Sequence, residues 1–433
     1  MPDGLIGPLK INSLAFGGSG VARHEGRVIF VRGAVPGDSV RVRLLRVKKR
    51  YAEAEAVQFE RMSPARRVPL CPVFGDCGGC QWQMLPYSAQ LTAKEQIFHD
   101  ILQRQAGVTA ELILPILASP DEWNYRCRVQ FKCTQRADKT LAIGFFHHGS
   151  HRVVDTTACA VAMPALNQLL PKLRDLLTGS SLAVQIPQLD METGDCRSLR
   201  LVIHYLGADL KGLRRSLQPL LADPSLSLYV QQGRKTTLAY LGGPRELLLH
   251  VDTPDLDLAY GAGGFSQVNL TQNRRMLAAA LEMVAPRPHW RVLDLFCGMG
   301  NFSLPFARRV AQLIGVEDFD GSVKQGRANA QRNRLENIEF FTRPAAGAYA
   351  ALAGETGFDL VILDPPRSGA AEVIAELAGH KAPRILYVSC DPMTLARDLK
   401  ILVAAGYRVV ASRPLDMFPQ TWHLESLTLL VRD

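Results

Sequence analysis

A thiol, two carboxylates and a stiff proline turn lie near the end of the chain, a set able to make and break a covalent bond to an electron-poor ring. Cys390 stands in Tyr387-Val-Ser-Cys390-Asp-Pro, at the close of a run that reads as a strand. Carbon 5 of uracil is a poor nucleophile until a thiolate adds to carbon 6 and generates an enolate, which can attack an electrophilic methyl group. A base must then take the proton from carbon 5 so that the thiolate can leave. Glu425, in Trp422-His-Leu-Glu425-Ser just before the last strand, is the candidate, with His423 as runner-up. Asp364 opens Asp364-Pro-Pro-Arg367, where two prolines stiffen the turn and hold the carboxylate towards a cleft. Singly, each has a plainer reading: a strand cysteine often packs as a small hydrophobe, and an acid at a strand start is often an ordinary polar residue.

A methyl donor needs its own cradle. Val292-Leu-Asp294-Leu-Phe296-Cys-Gly298-Met-Gly300-Asn301-Phe-Ser303 reads as a strand, a glycine-rich turn and a helix, and Gly298 and Gly300 would let the backbone approach a ligand closely. A dinucleotide fingerprint wants a third glycine where Ser303 stands. Glu317 follows Asp294 by 23 residues, at the end of the next strand, where an acid can accept both hydroxyls of a ribose. That suits the adenosine of S-adenosylmethionine (SAM), with Asp294 near its amino-acid portion; a nicotinamide-binding turn or a nucleotide-free α/β domain is the alternative. Phe265 and Gln267, in Gly264-Phe-Ser-Gln-Val-Asn269, offer an aromatic face and an amide to an extruded base, although Phe265 by itself reads as core.

These residues need a frame. From about residue 272, candidate strands at Arg291–Phe296, Ala311–Glu317, Ile338–Thr342, Asp359–Leu363, Arg384–Ser389, Tyr407–Ser412 and Leu427–Val431 alternate with helical segments. That pattern predicts a doubly wound, Rossmann-like parallel sheet with its ligand beyond the strand C-termini, where every motif above falls. Residues 66–262 read as an α+β central domain, with strands at Cys127–Thr134, Ala142–His147, Ser198–Tyr205, Leu226–Gln232 and Glu246–Val251. Its helices are expected at Tyr87 to about Gln105, Pro164–Thr178 and Ala208–Leu221. Residues 1–65 read as a small β-barrel of the oligonucleotide-binding type, with short strands at Lys10–Leu14, Gly20–Ala22, Arg27–Val31, Ser39–Val47 and Ala52–Phe59. The methyltransferase domain would then span 263–433.

With 433 residues, 47% hydrophobic and 21% charged, the composition is that of a packed enzyme of several domains and excludes a disordered or fibrous chain. Of the formal charge of +9, residues 1–70 hold +7, from 13 Lys+Arg against 6 Asp+Glu. Such a concentration fits phosphate contact, or else a strand edge kept soluble by its cations. No apolar run is long enough for a membrane span and no secretory leader is evident, so a cytoplasmic protein is expected. Nine cysteines in such a chain point to metal binding or catalysis for some of them rather than disulfides.

The combination resembles the RumA/TrmA family of RNA uracil-5-methyltransferases over nearly the whole chain. The resemblance is carried by Phe265-Ser-Gln-Val-Asn269, Leu293-Asp-Leu-Phe-Cys-Gly-Met-Gly-Asn301, Asp364-Pro-Pro-Arg367, Val388-Ser-Cys390, and Leu415-Asp-Met-Phe-Pro419 with His423-Leu-Glu425. It implies Cys390 as nucleophile and Glu425 as base, with Gln267, Phe296, Asn301, Glu317 and Asp364 lining the SAM and uracil pockets. The barrel resembles a TRAM domain. Cys71-x5-Cys77-x2-Cys80, with Cys159 in Ala158-Cys-Ala-Val161, looks like the 4Fe-4S ligand set of the branch that modifies 23S ribosomal RNA. Spacing alone also admits a structural zinc. Structured RNA is the implied partner, and one complete site per chain suits a monomer.

Three positions depart from the family pattern: Asp391 where Asn follows the cysteine, Trp422 at a usually smaller position, and Pro344 where an Asn often contacts the adenine. Among other functions, a cytosine-5 methyltransferase would place a second cysteine inside the proline turn, where Arg367 stands, and an amino-group methyltransferase would need no thiol. A redox or RNA-binding protein with a vestigial α/β domain would have no use for Cys390 and Glu425 together.

Overall fold

The computed structural model describes residues 5–432 apart from 197, 234–236, 255 and 381. The N-terminal sheet has β1 (Ile6–Lys10), β2 (Ser13–Leu14), β3 (Gly20–His24), β4 (Arg27–Arg32), β5 (Ser39–Val47) and β6 (Tyr51–Arg61), in the order β1-β5-β6-β4-β3-β2. It folds over a core of alternating small and branched residues, among them Ile11, Val31, Val40, Val42 and Ala52. The strand expected over Lys10–Leu14 is divided, because Ile11 N donates to Asp38 O while Asn12 N turns to Val21 O, so the chain changes partners there. Buried Asp38 closes this unit, accepting from Val35 N at 2.7 Å, Ser63 N at 2.8 Å and Arg66 Nε at 2.9 Å.

Helix α1 (Tyr87–Ala106) follows and stops at Gly107, whose φ of +68° is open to glycine without strain. The central sheet then combines β7 (Arg128–Gln135), β8 (Leu141–Phe146), β9 (Val153–Asp155), β10 (Gln188–Thr193), β11 (Leu199–His204), β12 (Leu226–Gln231) and β13 (Leu238–Gly242). Its order is β13-β12-β11-β10-β7-β8-β9, antiparallel except for β11–β12. Helices α2 (Pro164–Asn167), α3 (Leu169–Leu177) and α4 (Leu210–Leu217) bring leucines such as Leu173 and Leu213 into the core of one sheet face. The single helix expected over 164–178 breaks at Gln168, where the Asn167 amide reaches across to the backbone of Cys159.

The hairpin β14 (Leu247–Asp252) and β15 (Leu256–Tyr260) leads to α5 (Leu270–Val284). The last unit contains β16 (Arg291–Leu295), α6 (Ser303–Ala307), β17 (Gln312–Glu317), α7 (Asp320–Arg332), β18 (Ile338–Thr342), α8 (Ala348–Leu352) and β19 (Leu360–Leu363). It ends with α9 (Ala371–His380), β20 (Arg384–Ser389), α10 (Pro392–Ala404), β21 (Arg408–Leu415) and β22 (Glu425–Val431). The sheet order is β18-β17-β16-β19-β20-β22-β21, and β22 alone runs against its neighbours. The expected parallel sheet thus acquires one antiparallel strand, and the order reverses direction between β16 and β19, where ligands of such sheets bind.

The expected central unit of 66–262 is divided in its packing. Phe98 and Leu102 of α1 share a buried cluster with Leu293, Leu363 and Leu399 of the C-terminal unit, and Leu249 and Leu258 of the hairpin share another with Met276 and Val323. Amphipathic elements bury wherever a complementary apolar face is nearest, and here those faces belong to helices of the C-terminal unit, α10 for α1 and α5 and α7 for the hairpin. Among the described residues, no helix is long and apolar enough to cross a membrane.

Candidate active site

Antiparallel β22 assembles the candidate site residues. Were it parallel, its first residue would lie at the far end of the sheet; running backwards, it pairs Ser426 with Ser389 of β20. Cys390 follows Ser389 and Glu425 precedes Ser426, so the last pair of that ladder brings both to one edge of the sheet, and β19 delivers Asp364 to the same edge. Glu425 is the first residue of β22 rather than lying before it, because it pairs with Leu415 of β21. The segment before it is pinned by a fully buried ion pair, Lys94 Nζ to Asp416 Oδ1 at 2.6 Å, with Lys94 also donating to Phe418 O at 3.1 Å.

The ionisable groups sense one another. Burial pushes the Cys390 thiol up to about 12, the Glu425 and Asp364 carboxyls add to the rise, and the Arg367 guanidinium opposes it. Burial, reinforced by Asp364 and opposed by Arg367, lifts Glu425 to about 8. Burial takes Asp364 to about 7. No side-chain hydrogen bond among the described residues satisfies either carboxyl, so both remain available to a ligand. His423 goes the other way: burial, then Arg367, Lys94 and Arg126, press it down to about 4, and its ring packs 4.0 Å from that of Trp422. A base that weak is poorly matched to carbon-bound protons near neutral pH, which favours Glu425 over the runner-up.

The glycine turn after β16 forms the adjoining cradle. Phe296 adopts a left-handed φ of +64°, and Gly298 (+55°) and Gly300 (+101°) follow. Gly300 holds its φ of +101° without the strain a side chain would bring, and a β-carbon there would also press on Leu304 Cδ1. Glu317 is fixed by the turn it faces: Gly298 N donates to Oε2 at 3.2 Å and Phe319 N to Oε1 at 3.0 Å, leaving each oxygen a second lone pair. Asn301 exchanges amide hydrogen bonds of 2.8 and 3.0 Å with Asn273 of α5, which locks its rotamer. Asp294 is less exposed than expected of a ligand contact; it is buried, takes a 2.5 Å hydrogen bond from Ser303 Oγ and leaves Oδ1 without a partner. Burial raises it to about 8 against that hydrogen bond, with Asp364 and Glu317 adding to the rise, so cradle and reacting group form one electrostatic field.

Phe265 is 66% exposed rather than core, and Gln267 is half-buried with no hydrogen bond to its amide among the described residues. Phe319 is a feature that the sequence reading missed: its ring is 53% exposed, two residues beyond Glu317. The only signal was an aromatic residue just past the ribose acid. Arg367, the cation felt by the Cys390 thiol and the Glu425 carboxyl, was read only as standing where a second cysteine would be. Of the departures, Asp391 caps α10, accepting from Met393 N at 2.8 Å and Thr394 N at 3.1 Å, a role the carboxylate fills as well as an amide. Trp422 meets Phe16 edge-on at 4.8 Å and so ties the catalytic segment to the N-terminal unit. Pro344 is exposed just beyond β18.

Cys71, Cys77, Cys80 and Cys159 line a single cavity of about 250 Å³, with Arg126 and Thr421 also in its wall. Burial raises Cys77 to about 11 and Cys80 to about 12, and nearby Cys159 and Cys71 add to both rises. Gly79 N donates to Cys77 Sγ at 3.4 Å. No three His, Cys, Asp or Glu among the described residues converge as the ligands of a single metal ion.

Known proteins match this chain in sequence and in fold. The family model for tRNA (Uracil-5-)-methyltransferase matches residues 86–433, and that for the TRAM domain matches residues 6–57. The 23S rRNA (uracil(1939)-C(5))-methyltransferase RlmD of Alkalilimnicola ehrlichii is 38% identical over 432 residues, covering 98% of this chain and 96% of the relative. Its namesake from Pectobacterium atrosepticum is 36% identical over 417 residues, covering 96% and 91%. In fold, the Pyrococcus abyssi tRNA (uracil-54, C5)-methyltransferase solved with S-adenosyl-L-homocysteine matches with a TM-score of 0.76 at 24% identity, over 98% of this chain and 99% of that one. A thiol and an acid brought to one sheet edge beside a SAM-type glycine turn, in a chain so matched from end to end, identify a TRAM-bearing member of the RNA uracil-5-methyltransferase family.

Proposed function

We propose that this chain methylates carbon 5 of one uridine in 23S ribosomal RNA, in the cytoplasm and as a monomer, with Cys390 as nucleophile and Glu425 as base. The observation that carries the reading is the reversed strand β22, which brings Glu425 to the sheet edge that carries Cys390, with Asp364 in reach of both electrostatically. The ribosomal target rests on full-length relatives bearing that name.

Bound SAM supplies an electrophilic methyl group on a positively charged sulfur. Gln267, Phe296, Asn301, Glu317 and Asp364 would hold it, with both ribose hydroxyls on Glu317 and Phe319 beside the adenine. Phe265, Gln267 and Asp364 would receive the uracil. Cys390 loses its proton to solvent, and its thiolate, favoured by the Arg367 cation, bonds to carbon 6; the electron pair displaced to carbon 5 would take the methyl as the donor's sulfur–methyl bond breaks and S-adenosylhomocysteine departs. Glu425 then removes the proton from carbon 5, the carbon–sulfur bond breaks, and the thiolate returns.

The cysteine cavity would house a 4Fe-4S cluster. Cys71, Cys77, Cys80 and Cys159, which line one cavity, would hold such a core through four thiolates, with Gly79 N–H donating to the Cys77 sulfur. Thr421 in the cavity wall is four residues from Glu425, so the cluster's part would be to hold that segment rather than to transfer electrons.

Mapping 5-methyluridine in RNA from a strain lacking the gene tests the substrate. Loss from one position of 23S ribosomal RNA is expected; loss from transfer RNA instead would overturn the ribosomal assignment.

A further inference from the structure

The segment that leads into Phe265 and Gln267 contains Gly261, Gly263 and Gly264 around Ala262, so it has almost no side chains with which to hold itself. Two guanidinium groups of the central sheet hold it instead. Arg200 of β11 is fully buried; its Nη2 donates to Tyr260 O at 2.6 Å, its Nη1 to Gly261 O at 3.0 Å, and its guanidinium carbon stands 4.8 Å from the centre of the Tyr260 ring. Arg128 of β7 donates from Nη1 to Gly264 O at 3.1 Å. Glu192 of β10, directly opposite both arginines in the ladder, joins them: Oε2 accepts from Arg200 Nη1 at 2.9 Å and Oε1 from Arg128 Nε at 2.9 Å.

Buried ion triads are poor sources of net stability, because desolvation offsets most of the attraction. This one has a more specific consequence: its hydrogen bonds beyond the triad end on carbonyls of residues 260, 261 and 264. On the other side of the segment Cys127 N donates to Val268 O at 2.8 Å. Phe265 and Gln267 are thus suspended between two ties to the end of one sheet, and a glycine-rich stretch that would otherwise sample many conformations is ordered before any RNA arrives.

We infer that Arg128 and Arg200 are positioning residues for methyl transfer, acting through those carbonyls to hold Phe265 and Gln267 in the orientation that receives the base. The inference rests on the base-contacting role proposed above for those two residues. Lysine in place of either arginine retains the charge but cannot bridge Glu192 and a carbonyl with a planar fork.

The test compares kcat and KM for RNA in Arg128→Lys, in Phe265→Ala with Gln267→Ala, and in all three combined, alongside thermal melting. Arg128→Lys should lower kcat/KM by about tenfold with little change in melting. In the doubly substituted background it should cost less than about twofold more, because what it positions is gone. An undiminished further loss in that background, or wild-type activity in Arg128→Lys while the double substitution is impaired, overturns the positioning role. Unaltered activity in the double substitution overturns the base-contact reading itself. Arg200→Lys repeats the comparison at the buried position, and should it not fold, Arg128→Lys decides alone.

Discussion

Replacing Glu425 with Gln separates the two halves of the reaction. The amide keeps the shape of the carboxyl but cannot take a proton from carbon 5, so release should fail while attachment survives. Glu425 is raised to about 8, so at pH 7 only about a tenth of the enzyme has it ionised, and release in the unsubstituted protein should climb about tenfold between pH 7 and pH 9. A positioned base contributes about 10²–10⁴-fold; discounted by that tenth, the variant should lose about 10–10³-fold at pH 7 and show no rise with pH. Attachment at pH 7 should be nearly unchanged, because Glu425 is then mostly protonated; above pH 8, where its carboxylate would hold the Cys390 thiol up, the variant should attach no slower. The assay is denaturing electrophoresis of enzyme with ordinary target RNA and SAM, in which Glu425→Gln should accumulate a covalent adduct. Turnover within about threefold of normal, with the pH dependence intact, would refute the assignment and move the base elsewhere.

Two further outcomes follow from the geometry. Cys80→Ser should remove most of the iron and the visible absorbance from anaerobically purified protein, as measured by iron analysis and spectroscopy; unchanged absorbance would exclude Cys80 from the cluster. Asp391→Ala should lower stability by about 1 kcal/mol through loss of the α10 cap, whereas Asp391→Asn should leave the melting temperature nearly unchanged.

What could be read from sequence follows from where each signal resides. Ile338–Thr342 and Arg384–Ser389 form the strands expected, because strands buried on both faces in a largely parallel sheet announce themselves as short apolar runs between turns. Strand β10, Gln-Leu-Asp-Met-Glu-Thr, went unread: Asp190 and Glu192 look like loop residues until His204, Arg128 and Arg200 arrive from neighbouring strands. Helix α1 was legible as a helix, but an apolar face does not name its partner, and that partner is α10, about 300 residues onward in the chain. Cys390 and Asp364 could be placed at strand ends from local pattern. Their meeting with Glu425 depends on the order β20-β22-β21, which is a property of the whole sheet. Exposure of Phe265 was likewise hidden, since an aromatic residue among glycines reads as core until the ties from Arg128 and Arg200 are seen to hold its segment apart.

The central claim is that the Cys390 sulfur bonds to carbon 6 of the target uracil. Incubation with SAM and target RNA carrying 5-fluorouridine, whose fluorine cannot be abstracted as a proton, followed by protease digestion and peptide mass spectrometry, tests it directly. The account predicts a methylated fluorouridine nucleotide attached to the peptide containing Cys390, and no adduct in Cys390→Ala, which should still bind SAM. An adduct on another residue, or full methylation by Cys390→Ala, would contradict it.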